Sequence, residues 1–186
     1  MARFCVLAAT ANVWMLILVL AAAFSVQLNT GELPCPLCVM QRIALMMCAL
    51  GPLHILMRSR AGSLAAQDVA VGCAIAIVAA LVGAAASSRQ VLLHILPGDQ
   101  GYGSPVLGLH LYTWSLIACA CQIAASAIML LGVAWLRTER SGYPPAVKFT
   151  VFAFALLVVA NLLSVVTEAG WNWDLPADPV KYLIFK

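Results

Sequence analysis

The sequence predicts an all-α polytopic membrane protein, a single bundle of five transmembrane helices. Two observations lead there. Apolar residues make up 64% of the 186-residue chain and charged residues only 9%, against about 45–50% and about 25% in soluble domains. A soluble fold of this length could not hide so much apolar surface. The apolar residues also fall into five runs, each near the roughly 20 residues a helix needs to cross the hydrocarbon core. The net charge of +3 rests on few groups, and no basic run or aromatic-basic stripe points to nucleic acid.

The first helix is expected over residues 8–28, a run without charge. It is longer than the usual 7–15-residue core of a cleaved signal peptide, so it reads as a span although Ala21-Ala22-Ala23 offers small residues for cleavage. The second is expected over 37–57, with Arg42 near its start, and the third over 69–87. The fourth and fifth follow over 112–136 and 146–166. Loops fill 29–36 and 88–111, and a tail fills 167–186. In the longer loop, Val91 to Leu96 is an apolar patch too short to span; it lies along the interface or packs on helix ends. Gly101 to Pro105 is turn-rich. Trp171, Trp173 and Tyr182 suit a membrane–water boundary. There is no internal repeat and no soluble domain.

Charge orients the bundle. Arg3, Arg58, Arg60, Arg137, Arg140 and Lys148 fall on one side. Arg42, Arg89, Lys181 and Lys186 fall on the other, with Glu32, Asp99, Glu168, Asp174 and Asp178. The side richer in Lys and Arg is the cytoplasmic one, which puts the N-terminus in the cytoplasm. The loops 29–36 and 88–111 and the C-terminus are then outside.

Chemistry concentrates in Cys35-Pro36-Leu37-Cys38, followed at once by Val39-Met40-Gln41-Arg42. Cys5, Cys48, Cys73, Cys119 and Cys121 stand alone or inside apolar runs, where a cysteine behaves as a small hydrophobe. Cys119 and Cys121 point to different helix faces. Only Cys35 and Cys38 sit at a helix mouth at a redox spacing. Proline favours the first helical position, so Cys35 falls at the N-cap. Exposed N–H groups and the helix dipole favour a thiolate there, which makes Cys35 the outward nucleophile. Cys38 lies one turn deeper, and Arg42 shares its face about 6 Å further along. A guanidinium at that depth needs an anionic or carbonyl partner; a thiolate or a quinone oxygen would serve. Snorkelling to headgroups is the plainer use of such an arginine.

Other uses of the pair fit less well. Zinc wants about four ligands, and only His94 and His110 share that side. Covalent haem needs histidine where Val39 stands, and a thioredoxin-like fold needs a βαβ context. Non-covalent haem lacks two histidines at one level, since His54 is about 28 Å along the axis from Cys35. No metal is expected. A structural disulfide remains, but so small a ring is strained and easily reduced.

With these residues in view the chain resembles the bacterial disulfide-bond formation protein B (DsbB) family. Ser88-Arg89-Gln90, Leu93-His94-Ile95-Leu96-Pro97, and Leu107-Gly108-Leu109 with Tyr112-Thr113-Trp114 are similar to the family's quinone-side loop and the start of its fourth helix. The matching segments cover roughly residues 10–136. The resemblance implies a four-helix transmembrane bundle of DsbB type, here with a fifth transmembrane helix. It implies a bacterial inner-membrane thiol oxidase. The outer cysteine pair would be oxidised by ubiquinone or menaquinone, and would in turn oxidise a soluble, periplasmic thioredoxin-like partner of DsbA type. Carried over, Cys38 would face the quinone, Cys35 would exchange with the partner, and Arg42 would stabilise quinone and charged sulfur. Gln41, Arg89, Gln90, His94 and Trp114 would line the quinone site. Gln90 stands where well-known members have histidine, and nearby His94 would compensate.

Two departures stand out. No cysteine lies between Cys73 and Cys119, where well-known members carry a second, relaying pair. Some relatives with a fifth span carry tail cysteines; here Ala169 and Ala177 stand in the comparable region. Either Cys35–Cys38 acts on its partner directly, or a relay pair was lost or engineered away. The chain is also similar to vitamin K epoxide reductase-like proteins in pairing a small helical bundle with C-x-x-C, although their pair comes late in the chain. A membrane subunit with a purely structural disulfide is the non-enzymatic alternative.

Overall fold

The computed structural model describes residues 2–135, 139–140, 145–172 and 182–185. Five helices dominate: α1 (Ala2–Thr30), α2 (Pro36–Arg60), α3 (Ala66–Leu93), α4 (Leu111–Val133) and α5 (Pro145–Ala169). Each is long and apolar enough to cross a membrane. The expected all-α polytopic architecture is therefore present, with one addition. A two-residue antiparallel pair, β1 (Ser63–Leu64) and β2 (Glu139–Arg140), ties the α2–α3 turn to the segment before α5.

Most helices overrun their apolar runs, because a hydrogen-bonded ladder continues past the hydrocarbon boundary until a cap stops it. α3 continues to Leu93 and is capped at His94. Half of the expected interfacial patch, Val91 to Leu93, is thus helix, and only Ile95 and Leu96 follow as exposed apolar residues. α4 ends earlier than expected, at Val133.

α2 packs between α1 and α3, α3 packs against α4, and α5 lies on α1. Lipid tails give helices no hydrophobic incentive to associate, so close contact of small residues does the holding. Gly51 and Gly72 show it: a side chain at either would run into the other's carbonyl oxygen. Gly83 plays the same part where α3 passes Cys119 and Ala44. The α5 stripe of Val147, Phe154, Asn161 and Glu168, with Thr150, is buried at seven-residue spacing, the period of a helix–helix seam. Trp14 Nε1 donates to Thr150 Oγ1 at 2.9 Å, and Gln27 Nε2 donates to Ser164 Oγ at 3.1 Å. The opposite face of α5 shows Phe149, Phe152, Leu156 and Leu163 to the outside, as a lipid-facing surface should.

Candidate redox site

Cys35 is the N-cap of α2, in extended conformation, with Pro36 opening the helix. Its sulfur accepts the Cys38 N–H at 3.2 Å, which satisfies one of the helix's orphan donors. The two sulfurs face each other at 2.7 Å. A third group joins them from α3. Gln90, 1% exposed, turns its amide Nε2 to Cys35 Sγ at 3.4 Å and Cys38 Sγ at 3.5 Å. Gln41 Nε2 donates to Gln90 Oε1 at 2.6 Å. That bond fixes the Gln90 amide with its NH₂ toward sulfur, so Gln41 positions Gln90 and Gln90 solvates the pair.

Cys35 is not the open nucleophile its N-cap position led one to expect. It is 7% exposed. The hydrogen bond to the Cys38 sulfur, then burial, push its thiol well above the ordinary cysteine value. A neighbouring sulfur and desolvation outweigh the helix N-terminus here. Cys38 is the more open of the two and faces the cavity described below.

Arg42 is buried, but its partners come from α1 rather than from sulfur. Nη1 donates to Gln27 Oε1 at 2.7 Å, Nη2 reaches the Ala23 carbonyl at 3.5 Å, and the guanidinium lies 4.9 Å from the Phe24 ring centroid. Gln27 passes the contact on to Ser164 of α5. One turn beyond Ser164 stands Glu168, wholly buried, with neither carboxyl oxygen hydrogen-bonded. It lies within electrostatic reach of Arg42 and Cys38. From the sequence Glu168 was one more acid of an outer segment. Its seven-residue spacing from Asn161, Phe154 and Val147 is the signal that marks it as inward-facing.

A cavity of about 460 Å³ opens between α1, α2, α4 and the outer loop. Its walls are apolar, among them Val19, Leu20, Leu45 and Ile117, and it is bounded by Cys38, Gln41, Arg42 and Trp114. Trp114 Nε1 donates to the Val106 carbonyl at 2.9 Å, fixing the indole against the loop. The loop crosses the Cys35 segment as a strap. Tyr102 Oη donates to the Leu33 carbonyl at 2.7 Å, and Glu32 accepts Ser104 N–H at 2.9 Å and Ser104 Oγ–H at 2.6 Å. These bonds hold the Glu32 carboxyl below its usual range. At the strap's tip Val106 and Leu109 close a two-residue turn, with positive φ at Leu107 (53°) and Gly108 (82°).

Three of the residues expected to line the quinone site do not line the cavity: Gln90 lies against the two sulfurs instead, and Arg89 and His94 stand elsewhere. Arg89 is exposed and does not line the cavity. His94 pairs with Asp99 at 3.1 Å and stacks on Tyr112 at 5.7 Å, so it does not compensate at Gln90's position. Among the described residues no three of His, Cys, Asp and Glu gather to hold a metal. Ala169 ends α5, where its carbonyl accepts from Asn172; Ala177 lies outside the described residues.

The family model described as "Disulfide bond formation protein DsbB" matches residues 3–104, which include Cys35, Cys38, Arg42 and Gln90. A protein of Chromobacterium violaceum named "Disulfide bond formation protein B" is 41% identical over 78 residues, 42% of this chain and 45% of that protein. The aligned part thus spans less than half of the relative's length. No solved structure matches the chain. α4 and α5 lie beyond the family match. With more than half of its length matched, including the cysteine pair, the chain belongs to the DsbB family of disulfide bond formation proteins.

Proposed function

We propose that this chain is a quinone-reducing thiol oxidase of a bacterial inner membrane. Cys35–Cys38 takes two electrons from a soluble, periplasmic thioredoxin-like protein of DsbA type and passes them to ubiquinone or menaquinone. The observation that carries this reading is the position of Cys38. Its sulfur lies 2.7 Å from Cys35 and also borders an apolar cavity that contains a buried arginine. A quinone ring is flat and apolar with two carbonyl oxygens. Apolar walls, the Trp114 ring and the N–H donors of Gln41 and Arg42 fit those demands.

A bound quinone supplies a two-electron acceptor, which a DsbA-like couple at about −120 mV needs because a glutathione-like pool cannot recharge it. The chain's own residues do the rest. Gln90 donates to whichever sulfur carries charge, Gln41 keeps that amide turned, and Arg42 holds positive charge beside the cavity. Cys35 is buried, so exchange with a partner at its sulfur requires the segment around it to open. With no second cysteine pair in the loop, the partner acts on Cys35–Cys38 directly.

Thiol trapping in membranes tests the proposal. With quinone depleted, Cys35 and Cys38 accumulate reduced, and adding ubiquinone-1 reoxidises them. Cys38→Ser abolishes turnover. A pair that stays oxidised without quinone, or activity that survives Cys38→Ser, sinks the proposal and leaves the structural-disulfide reading.

A further inference from the structure

Glu168 is the buried charge that the site just described does not use. A carboxyl group removed from water without a hydrogen bond is costly as an anion unless a cation balances it. Among the described residues, the charged or titratable groups within electrostatic reach of it are Arg42 and Cys38 of α2, and Tyr182 lies within electrostatic reach of Arg42. Arg42 is tied to α5 through Gln27 and Ser164, so arginine and carboxyl occupy one linked cluster rather than two unrelated spots. Among the described residues that cluster holds one positive charge, Arg42, and facing it Glu168 and the sulfurs of Cys38 and Cys35, groups that can become negative. Arg42 balances one anion well and two poorly.

Resting on the reading of Cys35–Cys38 as a redox pair, we propose that Glu168 is its proton-accepting side chain. When the pair is a disulfide, Glu168 is the anion that balances Arg42. A dithiol reductant brings two electrons and two protons. One proton goes to the Cys35 sulfur and the other to the Glu168 carboxylate, leaving Cys38 as the thiolate that Arg42 now balances. The S–S bond breaks, the reductant's own disulfide forms, and the cluster keeps the same net charge in both states. The fifth helix therefore lets electrons enter and leave a buried site without changing its charge, which in low dielectric is the main cost of such a step.

The test counts protons. The full chain, with Cys5, Cys48, Cys73, Cys119 and Cys121 unchanged, is equilibrated with dithiothreitol redox buffers between about pH 6 and 8. The oxidised fraction of Cys35–Cys38 is read by thiol trapping. Wild type and Glu168→Asp take up two protons per two electrons, and Glu168→Gln takes up one. Equal proton counts in all three overturn the proposal. Infrared difference spectra of wild type, reduced minus oxidised, provide a readout that does not depend on how the variants fold. A protonated carboxyl band that grows on reduction supports the assignment, and its absence overturns it. Neither measurement uses quinone. Failure of ubiquinone-1 to reoxidise the wild-type pair therefore refutes the oxidase reading separately from the role of Glu168.

Discussion

Gln90 bears the sharpest consequence at the scale of single residues. Its side chain touches both sulfurs, and its oxygen is taken by Gln41. Gln90→Leu keeps the volume but removes the N–H donor and leaves Gln41 Nε2 buried without an acceptor. A hydrogen bond to a charged group contributes about 1.5–3 kcal/mol, so reoxidation of the reduced pair by ubiquinone-1 should slow roughly tenfold to hundredfold. Gln90→His restores a ring N–H that can face sulfur and should fall between the two. Stopped-flow reoxidation decides it: Gln90→Leu at the wild-type rate would mean that the amide only packs. The importance of this residue was hard to see in the sequence. A glutamine where the family resemblance implies histidine looks like a weakened site, and only the meeting of α2 with α3 shows it clamped by a second glutamine. Cys35, Cys38 and Arg42 were legible because their spacing along one helix is a local property. The partners of Arg42 come from α1 and, through Gln27, from α5, and no local pattern announces them.

At the scale of elements, the strap and the Cys35 segment form a latch with its own pH dependence. Glu32 is held below its usual range chiefly by the Ser104 hydroxyl and then by the Ser104 N–H. A carboxyl whose folded value is depressed contributes stability above its unfolded value. That contribution is lost as pH falls through the folded value. The latch is therefore closed at neutral pH and loosens in acid. Hydrogen exchange at the Ser104 amide, which donates to Glu32, reads it directly. Referenced to intrinsic exchange rates, protection in wild type should persist through the ordinary glutamate range and fall only at more acid pH, whereas in Glu32→Ala it should be low and flat with pH. A wild-type profile without that fall would mean that Tyr102 alone secures the strap. The helices were readable because a long apolar run has one stable form in a bilayer, all of whose backbone bonds are internal. The strap was not, because its turns depend on glutamate, serine and tyrosine meeting across about 70 residues of sequence.

The whole molecule has two unlike ends, and that difference sets its orientation. Arg3, Arg58, Arg60 and Lys148 belong to the ends of α1, α2 and α5 remote from the cysteines. There the Arg58–Asp68 pair at 2.7 Å and the β1–β2 contact also lie. The cysteine end carries Arg89 with Glu32, Asp99 and His94 in hydrogen-bonded loops. Lys and Arg near short connections resist translocation, whereas acids count for little. The remote end should therefore face the cytoplasm, and five spans then put Glu168, near the end of α5, on the outer side with the cysteine pair. An even number of helices would have placed the end of the chain away from the site. The odd fifth helix is what lets a residue so late in sequence reach Arg42. Ala61 and Gln100 are exposed at opposite ends and report on this without disturbing either site. In intact cells a membrane-impermeant maleimide should label Gln100→Cys at once, and Ala61→Cys only after the membrane is permeabilised. Peptide mapping separates these labels from any on native cysteines. The reverse pattern would place the redox pair on the cytoplasmic face, where a reducing thiol pool would meet it, and the oxidase reading could not stand.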